Sequence, residues 1–182
     1  MWMHLVQAAA VIRAGGVIGY PTEAVFGLGC DPLNAQAVRR LLAIKQRPVS
    51  KGLILLAAEL AQLEPYIVLS TTQRHSLQQH WPLATTYLVE ASSHTPAWIR
   101  GDHSKVAIRV TQHPVARALA RQLHGPLVST SANRAGEAAC RNQFQLQRQL
   151  GAELDFIVSG QCDLAARPST IIDLDSGAVL RV

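Results

Sequence analysis

A short basic loop carries the sharpest chemical signal in the sequence. Lys45, Arg47 and Lys51 lie within seven residues, directly after a helical pattern and before an apolar run. Three cations on so short a loop repel one another unless an anion lies between them, and together they supply a planar fork and a compact charge for phosphate oxygens. Lysine and arginine also suit the negative end of a helix dipole. The spacing alone therefore leaves an anion site and a solvated helix terminus both open.

Three further polar clusters lie at the ends of predicted strands. Tyr20 to Glu23 follows one apolar run, Ser129 to Asn133 follows another, and Pro168 to Thr170 begins a third. Strand ends are where α/β proteins usually build their sites, and hydroxyl and amide groups can bind amino-acid or nucleotide atoms without adding charge. Taken alone, however, these residue types are more typical of ordinary turns.

Other catalytic motifs find little support. The seven histidines lack HxxxH or HExxH spacing, and the three cysteines form no CxxC pair, so we expect no metal site and no disulfide framework. The sequence contains no GxxxxGK[ST] phosphate loop, no GxGxxG and no GxSxG; Gly27 and Gly29 form only a GxG. If ATP binds, it binds without a familiar nucleotide motif.

The composition indicates a folded, weakly basic chain. Of the 182 residues, 48% are apolar and 16% are charged, which excludes intrinsic disorder. The net charge of +5 suits anionic partners such as nucleotides, phosphates or RNA. The longest apolar runs, such as 53–58, are too short to span a bilayer, and the N-terminus lacks the pattern of a signal peptide. We therefore expect a cytoplasmic protein without a membrane partner.

Alternating helical and strand patterns predict a single α/β domain over residues 1–182. Helices are predicted at 5–14, 34–44, 59–64, 72–80, 113–124 and 142–150, and strands at 17–20, 53–57, 85–89, 105–110, 127–130, 170–174 and 178–182. The stretch 21–32 reads as a turn-rich connection. A hairpin-type turn at 175–177 predicts a mixed rather than a purely parallel sheet.

At these polar clusters the sequence resembles the short, single-domain form of the YrdC/TsaC family of threonylcarbamoyl-AMP synthases. The matching segments are GGVIGYPTEAVFGLGCDP (15–32), KQRPVSKGLILLAA (45–58), VAIRVTQHP (106–114), GPLVSTSAN (125–133) and RPSTIIDL (167–174). They keep the family's order and spacing along nearly the whole chain. The resemblance implies an open, twisted mixed sheet with flanking helices around a concave, positively charged cavity.

The resemblance also implies a reaction in two stages. L-Threonine and bicarbonate form N-carboxythreonine, which attacks the α-phosphate of ATP and releases pyrophosphate, with Mg²⁺ required alongside ATP. The product, threonylcarbamoyl-AMP, supplies the N6-threonylcarbamoyladenosine (t6A) modification at position 37 of tRNA. Direct tRNA binding and handover of the product to the t6A transferase complex are further expectations by analogy.

The resemblance also implies roles for individual residues. Lys45 and Arg47 correspond to the family's KxR pair and are expected to be catalytic. The residues expected to hold threonine are Thr22, Arg109, Ser129 and Ser169. The residues expected at the nucleotide are Lys45, Arg47, Lys51, Thr86, Ser131, Asn133 and Arg181. For Arg109, a polar residue in an apolar strand, a salt bridge across the sheet is the structural alternative.

One segment departs from the family pattern. The usual Trp-Pro-Gly-Pro is replaced by Trp81-Pro82-Leu83-Ala84. The change removes a conformationally permissive position and a rigid one. We therefore expect a different loop path before Thr86, and altered nucleotide affinity rather than lost activity.

Two other functions are alternatives to the synthase. A non-catalytic module that binds double-stranded RNA or tRNA would explain the basicity, but no RNP, KH or double-stranded RNA-binding pattern is present, and aromatic residues make up only 5% of the chain. A carbamoyl-transfer domain of the larger hydrogenase-maturation proteins would be accompanied by zinc-finger and acylphosphatase-like regions, which this sequence lacks.

Overall fold

A computed structural model describes residues 2–81 and 84–181 of the chain. The α-helices of this part are α1 (Trp2–Arg13), α2 (Ala35–Lys45), α3 (Thr71–His80), α4 (Ala97–Arg100), α5 (Pro114–Leu123) and α6 (Gln143–Leu150). The strands are β1 (Ile18–Pro21), β2 (Phe26–Gly29), β3 (Ile54–Ala57), β4 (Thr85–Glu90), β5 (Lys105–Val110), β6 (Leu127–Ser131), β7 (Phe156–Ile157), β8 (Thr170–Asp173) and β9 (Val179–Arg181). None of the helices described is long and apolar enough to cross a membrane.

The strands form one open sheet in the order β7-β1-β2-β6-β3-β5-β4-β8-β9. The pairs β1–β7, β3–β5 and β4–β8 are parallel, whereas β1–β2, β2–β6, β3–β6, β4–β5 and β8–β9 are antiparallel. The predicted α/β fold with a mixed sheet is therefore confirmed, including the closing hairpin of β8 and β9.

Helices cover both faces of this sheet. Successive residues of β3 point to opposite faces: Leu55 packs in a core with α2 and α6, and Leu56 packs in a second core with α1 and α5. Both leucines are almost completely buried. Two hydrophobic cores thus hold the sheet between layers of helices, as the alternating sequence pattern requires.

Capping residues explain where several helices begin and end. The side chain of Asn34 accepts hydrogen bonds from the backbone N–H groups of Gln36 and Ala37, which starts α2 as predicted. Ser70 and Gln73 form a reciprocal capping box at α3. Gly15 adopts a φ of +85° just after α1, the left-handed conformation expected of a terminating glycine.

Two local predictions were wrong, and two short elements were not predicted. The stretch 21–32, read as a connection, contains strand β2, whose sequence Phe-Gly-Leu-Gly has low strand propensity and is stabilised by pairing with β1 and β6. The helix predicted at 59–64 is instead two 3₁₀ turns, Leu60–Gln62 and Glu64–Tyr66, because Pro65 cannot donate a helical hydrogen bond. The short elements α4 and β7 were not predicted.

The two glycines of β2 make room for a buried tyrosine. A Cβ added to Gly29 would lie 2.8 Å from the Cε1 atom of Tyr20 and 2.8 Å from the carbonyl oxygen of Val128. Since the phenol ring is fully buried, neither neighbour can move without disturbing the sheet. Packing therefore explains the GxG of the sequence.

Gly29→Ala should destabilise the protein by about 1–3 kcal/mol, the usual cost of overpacking a core. Urea unfolding followed by circular dichroism would measure the difference. Gly125→Ala is the matched control, because a Cβ at Gly125 meets nothing within 4 Å. Equal unfolding midpoints for the two variants would contradict this account of β2.

Candidate active site

A cavity of about 900 Å³ opens on the face of the sheet that α1 and α5 cover only in part. Ile54 of β3 lines it, and Leu56, two residues further along the same face, packs beneath the two helices. The cationic side chains on its wall are Arg47, Lys51, Arg100, Lys105, Arg109, Arg167 and Arg181. The carboxylates on the wall are those of Asp102 and Glu137. A wall of this composition suits an anionic ligand.

Most of the residues expected at the site lie on this wall. They are Thr22, Arg47, Lys51, Arg109, Ser129, Ser131, Asn133, Ser169 and Arg181. They come from strands β5, β6 and β9 and from the segments that connect the elements, so the fold brings together residues more than 150 positions apart. Lys45 and Thr86 are not on the wall but lie behind residues that are.

Lys45, the last residue of α2, is almost completely buried. Its ammonium group donates to the backbone oxygens of Ser131 (2.5 Å) and Asn133 (2.9 Å) and to Oδ1 of Asn133 (3.3 Å). Burial and the neighbouring Arg47 guanidinium lower the pKa of Lys45 to about 8. These three contacts occupy the three donors of the ammonium and fix the loop that follows β6.

Arg47 lies on the cavity wall, and its side chain folds back over the basic loop. Its Nη2 atom donates to the backbone oxygens of Lys51 (3.3 Å) and Gly52 (3.1 Å). Its Nε is buried, and no described residue accepts a hydrogen bond from it. Burial lowers the pKa of the guanidinium. The side chain is therefore held in place while keeping donor capacity for a ligand.

Arg109 of β5 forms an ion pair across the sheet, the structural alternative for this residue. Its Nη2 atom lies 2.8 Å from Oε2 of Glu23, and its Nε is buried without a hydrogen-bond acceptor among the described residues. The other carboxylate oxygen of Glu23 accepts hydrogen bonds from Thr111 Oγ1 (2.8 Å) and from the backbone N–H groups of Gln112 and His113. The ion pair and the place on the cavity wall therefore coexist.

Glu23 was not predicted as a site residue. Burial raises the pKa of its carboxyl, but the Arg109 guanidinium and the hydrogen bonds from Thr111 and the backbone outweigh burial and lower the pKa overall. Its position beside Thr22 in a segment matching the family was the available signal. The hydroxyl of Thr22 itself donates to the backbone oxygen of Val25 at 2.6 Å.

Two buried serines on the wall each form a hydrogen bond with a hydroxyl group that lies behind the wall. Ser129 Oγ accepts a hydrogen bond of 2.7 Å from the hydroxyl of Tyr20. Ser169 Oγ lies 2.9 Å from Oγ1 of Thr86, and its backbone oxygen accepts a hydrogen bond of 2.8 Å from Arg181. Thr86 is fully buried, so its hydroxyl supports Ser169 rather than facing the cavity.

The loop after β6 is tied together by its own side chains. Ser131 Oγ donates to Oδ1 of Asn133 at 2.6 Å. The amide nitrogen of Asn133 donates to the backbone oxygens of Arg134 and Glu137, both at 2.8 Å. Because the Asn133 amide is engaged in this turn, it shapes the loop that Lys45 anchors.

Several wall residues were missed by the sequence analysis. Arg100, His103, Lys105 and Arg167 line the cavity. Arg167 begins a segment matching the family, which was a usable signal, whereas the others lie outside the matching segments or at their edge.

The segment that departs from the family pattern is described only in part. Pro82 and Leu83 lie outside the described residues. The backbone oxygen of Ala84 accepts a hydrogen bond from the backbone N–H of Thr170.

The Sua5–YciO–YrdC family model, described as "Telomere recombination", matches residues 10–182. Among curated proteins, the chain is 50% identical over 175 residues to a threonylcarbamoyl-AMP synthase of Cellvibrio japonicus, covering 96% of this chain and 93% of that protein. It is 48% identical over 181 residues to a threonylcarbamoyl-AMP synthase of Vibrio cholerae, covering 98% of this chain and 96% of that protein.

The fold is also similar to solved structures of proteins named Sua5 and YciO. Sua5 of P. abyssi complexed with L-threonine has a TM-score of 0.87 at 29% identity, covering 93% of this chain and 50% of that chain. YciO of E. coli has a TM-score of 0.89 at 26% identity, covering 100% of this chain and 89% of that chain. The chain thus spans about half the length of the Sua5 protein and most of the length of YciO.

Proposed function

The chain belongs to the Sua5–YciO–YrdC family and acts as a threonylcarbamoyl-AMP synthase, and we propose how its own residues carry out the reaction. It converts L-threonine, bicarbonate and ATP into threonylcarbamoyl-AMP, pyrophosphate and one water, released when the amine and bicarbonate form the carbamate, for the t6A modification of tRNA at position 37. One observation carries this conclusion: curated relatives with that activity in their names match the chain along nearly its whole length.

Threonine binds where Thr22, Arg109, Ser129 and Ser169 meet. Each is more than nine-tenths buried and lies on the cavity wall, and a hydrogen bond or ion pair within the protein already holds each polar group in place. The Arg109 guanidinium is suited to a carboxylate, and the hydroxyls are suited to the remaining polar atoms of an amino acid.

ATP binds against the cationic loop and the far edge of the sheet. Arg47, Lys51 and Arg181 provide positive charge for the phosphates, and Ser131 and Asn133 line the same cavity. Lys45 acts on this loop from behind through its carbonyl contacts. In this proposal Lys45 is a positioning residue, and Arg47 is the member of the pair that touches the reacting groups.

The cations allow two anions to react. A carbamate oxygen attacks the α-phosphorus of ATP, the bond from that phosphorus to the β-bridging oxygen breaks, and pyrophosphate leaves with the electron pair. Pre-placed guanidinium groups reduce the repulsion between carbamate and triphosphate and stabilise charge on the departing pyrophosphate. Because these groups are fixed by hydrogen bonds such as Arg47 to Gly52, they need no reorganisation during the reaction.

Mg²⁺ enters with ATP as part of the substrate. No group of three or more His, Cys, Asp or Glu side chains among residues 2–81 and 84–181 could hold a metal ion. In this proposal the phosphates of ATP bind the metal, and the protein contributes its fixed cations.

The product then passes to a t6A transferase in the cytoplasm, where ATP and tRNA are available. A mixed anhydride of a carbamate and a phosphate is sensitive to water, which favours direct handover over free diffusion. The cationic rim of the cavity, with Arg100 and Arg167, could contact tRNA phosphates during that step.

Pyrophosphate release tests the function. Purified protein is supplied with Mg²⁺, ATP, bicarbonate and L-threonine, each component is omitted in turn, and the product is identified by mass. Pyrophosphate should form only when threonine and bicarbonate are both present. No turnover, accompanied by tight and salt-sensitive binding of tRNA, would instead support a non-catalytic RNA-binding module.

A further inference from the structure

Tyr20 is a buried titratable group that the reaction scheme leaves without a role. It lies in β1, is 0% exposed, and its ring packs against Gly27 and Gly29 of the neighbouring strand. Its hydroxyl is 2.7 Å from Ser129 Oγ, although the two residues are 109 positions apart. Burial raises the pKa of the phenol above its ordinary value, so the hydroxyl keeps its proton.

The difference in burial decides which hydroxyl donates. If Ser129 donated to Tyr20, the phenolic proton would be left without an acceptor in a fully buried position, which costs free energy. If Tyr20 donates, the remaining proton is that of Ser129, which lies on the cavity wall and can reach a ligand or solvent. No described residue accepts a hydrogen bond from the Ser129 hydroxyl.

We propose that Tyr20 is a positioning residue that makes Ser129 a hydrogen-bond donor toward an acceptor oxygen of L-threonine. The proposal rests on the proposed function, in which Ser129 contacts threonine. Tyr20 itself does not touch the substrate. It fixes the direction of the Ser129 hydroxyl before the substrate arrives, so the contact forms without reorientation.

The acceptor on threonine is either a carboxylate oxygen or the side-chain hydroxyl. Both present an oxygen that can accept a proton from Ser129. L-2-Aminobutyrate keeps the carboxylate and the methyl group of threonine but lacks the hydroxyl. A binding loss shared by both amino acids would assign the carboxylate, and a loss confined to threonine would assign the hydroxyl.

A double-mutant cycle on Tyr20→Phe and Ser129→Ala tests the proposal, with calorimetric Kd values for L-threonine and steady-state KM and kcat. Each single variant should raise the Kd and KM for threonine, with little change in kcat: by roughly 3- to 10-fold if the acceptor is the neutral hydroxyl, and by roughly 10- to 100-fold if it is the charged carboxylate. The double variant should resemble Ser129→Ala alone, because Tyr20 acts only through Ser129.

Tyr66→Phe is the matched control, since Tyr66 is a buried tyrosine that does not line the cavity. It should leave the Kd for threonine unchanged. Thermal unfolding of all variants reports any loss of folding separately from loss of binding.

Two negative results are distinguishable. If Ser129→Ala leaves threonine binding intact, the proposed threonine contact fails and the inference fails with it. If Ser129→Ala weakens binding but Tyr20→Phe does not, or if the two effects simply add, the threonine site stands and the role of Tyr20 is overturned.

Discussion

Replacing Arg109 by methionine should lower kcat/KM for L-threonine by roughly 100- to 1,000-fold, the range for losing one partner of a buried, charge-assisted contact. The guanidinium lies on the cavity wall with a buried Nε that no described residue satisfies, so a bound carboxylate is its natural partner. Methionine keeps most of the aliphatic volume while removing the charge. Initial rates of pyrophosphate release over a range of threonine concentrations would measure the loss.

The same substitution leaves the Glu23 carboxylate buried without its cation, and a second variant separates that effect from catalysis. In Arg109→Met, the pKa of Glu23 should be higher than in the wild type, because the guanidinium that contributes most to lowering it is gone while burial still raises it. Protonation at lower pH then relieves the unpaired charge, so the loss of unfolding free energy should be smaller at pH 5 than at pH 8.

The variant carrying both Arg109→Met and Glu23→Gln should recover stability at pH 8 but not activity. Urea unfolding at the two pH values, alongside the rate assay, distinguishes these effects. Recovery of activity together with stability would mean that Arg109 serves only the fold and does not bind substrate.

The elements with strong local signals were predictable from the sequence. Strand β5 has the predicted bounds, since an apolar-rich segment of β-branched residues carries its own strand preference. Helix α2 begins where Asn34 indicated. Strand β2 could not be predicted, because a strand with two glycines in four residues is stabilised by its partners in the sheet rather than by its own sequence.

The resemblance selected residues that share one cavity wall, but their contacts with one another could not be predicted from the sequence. The family resemblance selected Arg109, Ser129 and Ser169, and the structure places all three on one wall. It could not reveal that Thr86 supports Ser169 from behind, or that Tyr20 donates to Ser129. Such contacts join residues 83 and 109 positions apart, and strand order and register determine them.

The contacts of Lys45 could not be predicted from the sequence either, because residue type does not determine where a side chain points. The sequence marked Lys45 as a phosphate ligand on the basic loop. In the structure its ammonium turns toward the loop after β6 and contacts the backbone oxygens of Ser131 and Asn133. A cation that holds two carbonyl groups stabilises the shape of the nucleotide side of the cavity, so its removal should still be severe.

Lys45→Met should therefore reduce kcat/KM for ATP by roughly 100-fold, since it leaves buried carbonyl groups unpaired and frees the loop. Arg39→Met on the exposed side of the same helix is the control and should have little effect. If Lys45→Met retains near-normal turnover, the anchoring role proposed for this ammonium is wrong.

The lowered pKa of Lys45 gives this role a pH signature. Above about pH 8 the folded protein carries a neutral Lys45, whereas the unfolded chain stays protonated up to about 10.5. Because the unfolded state then binds more protons, the contribution of Lys45 to the unfolding free energy rises between these pH values. Activity should fall over the same pH range, since the neutral amine has one donor fewer for the three loop contacts.

The titration of Lys45 can be measured directly. The lysines of the chain are Lys45, Lys51 and Lys105, so ¹³C NMR of their ε-carbons can resolve each titration. A Lys45 midpoint near 8 that coincides with the fall in pyrophosphate release would link loop anchoring to catalysis, and a midpoint near 10.5 would contradict it.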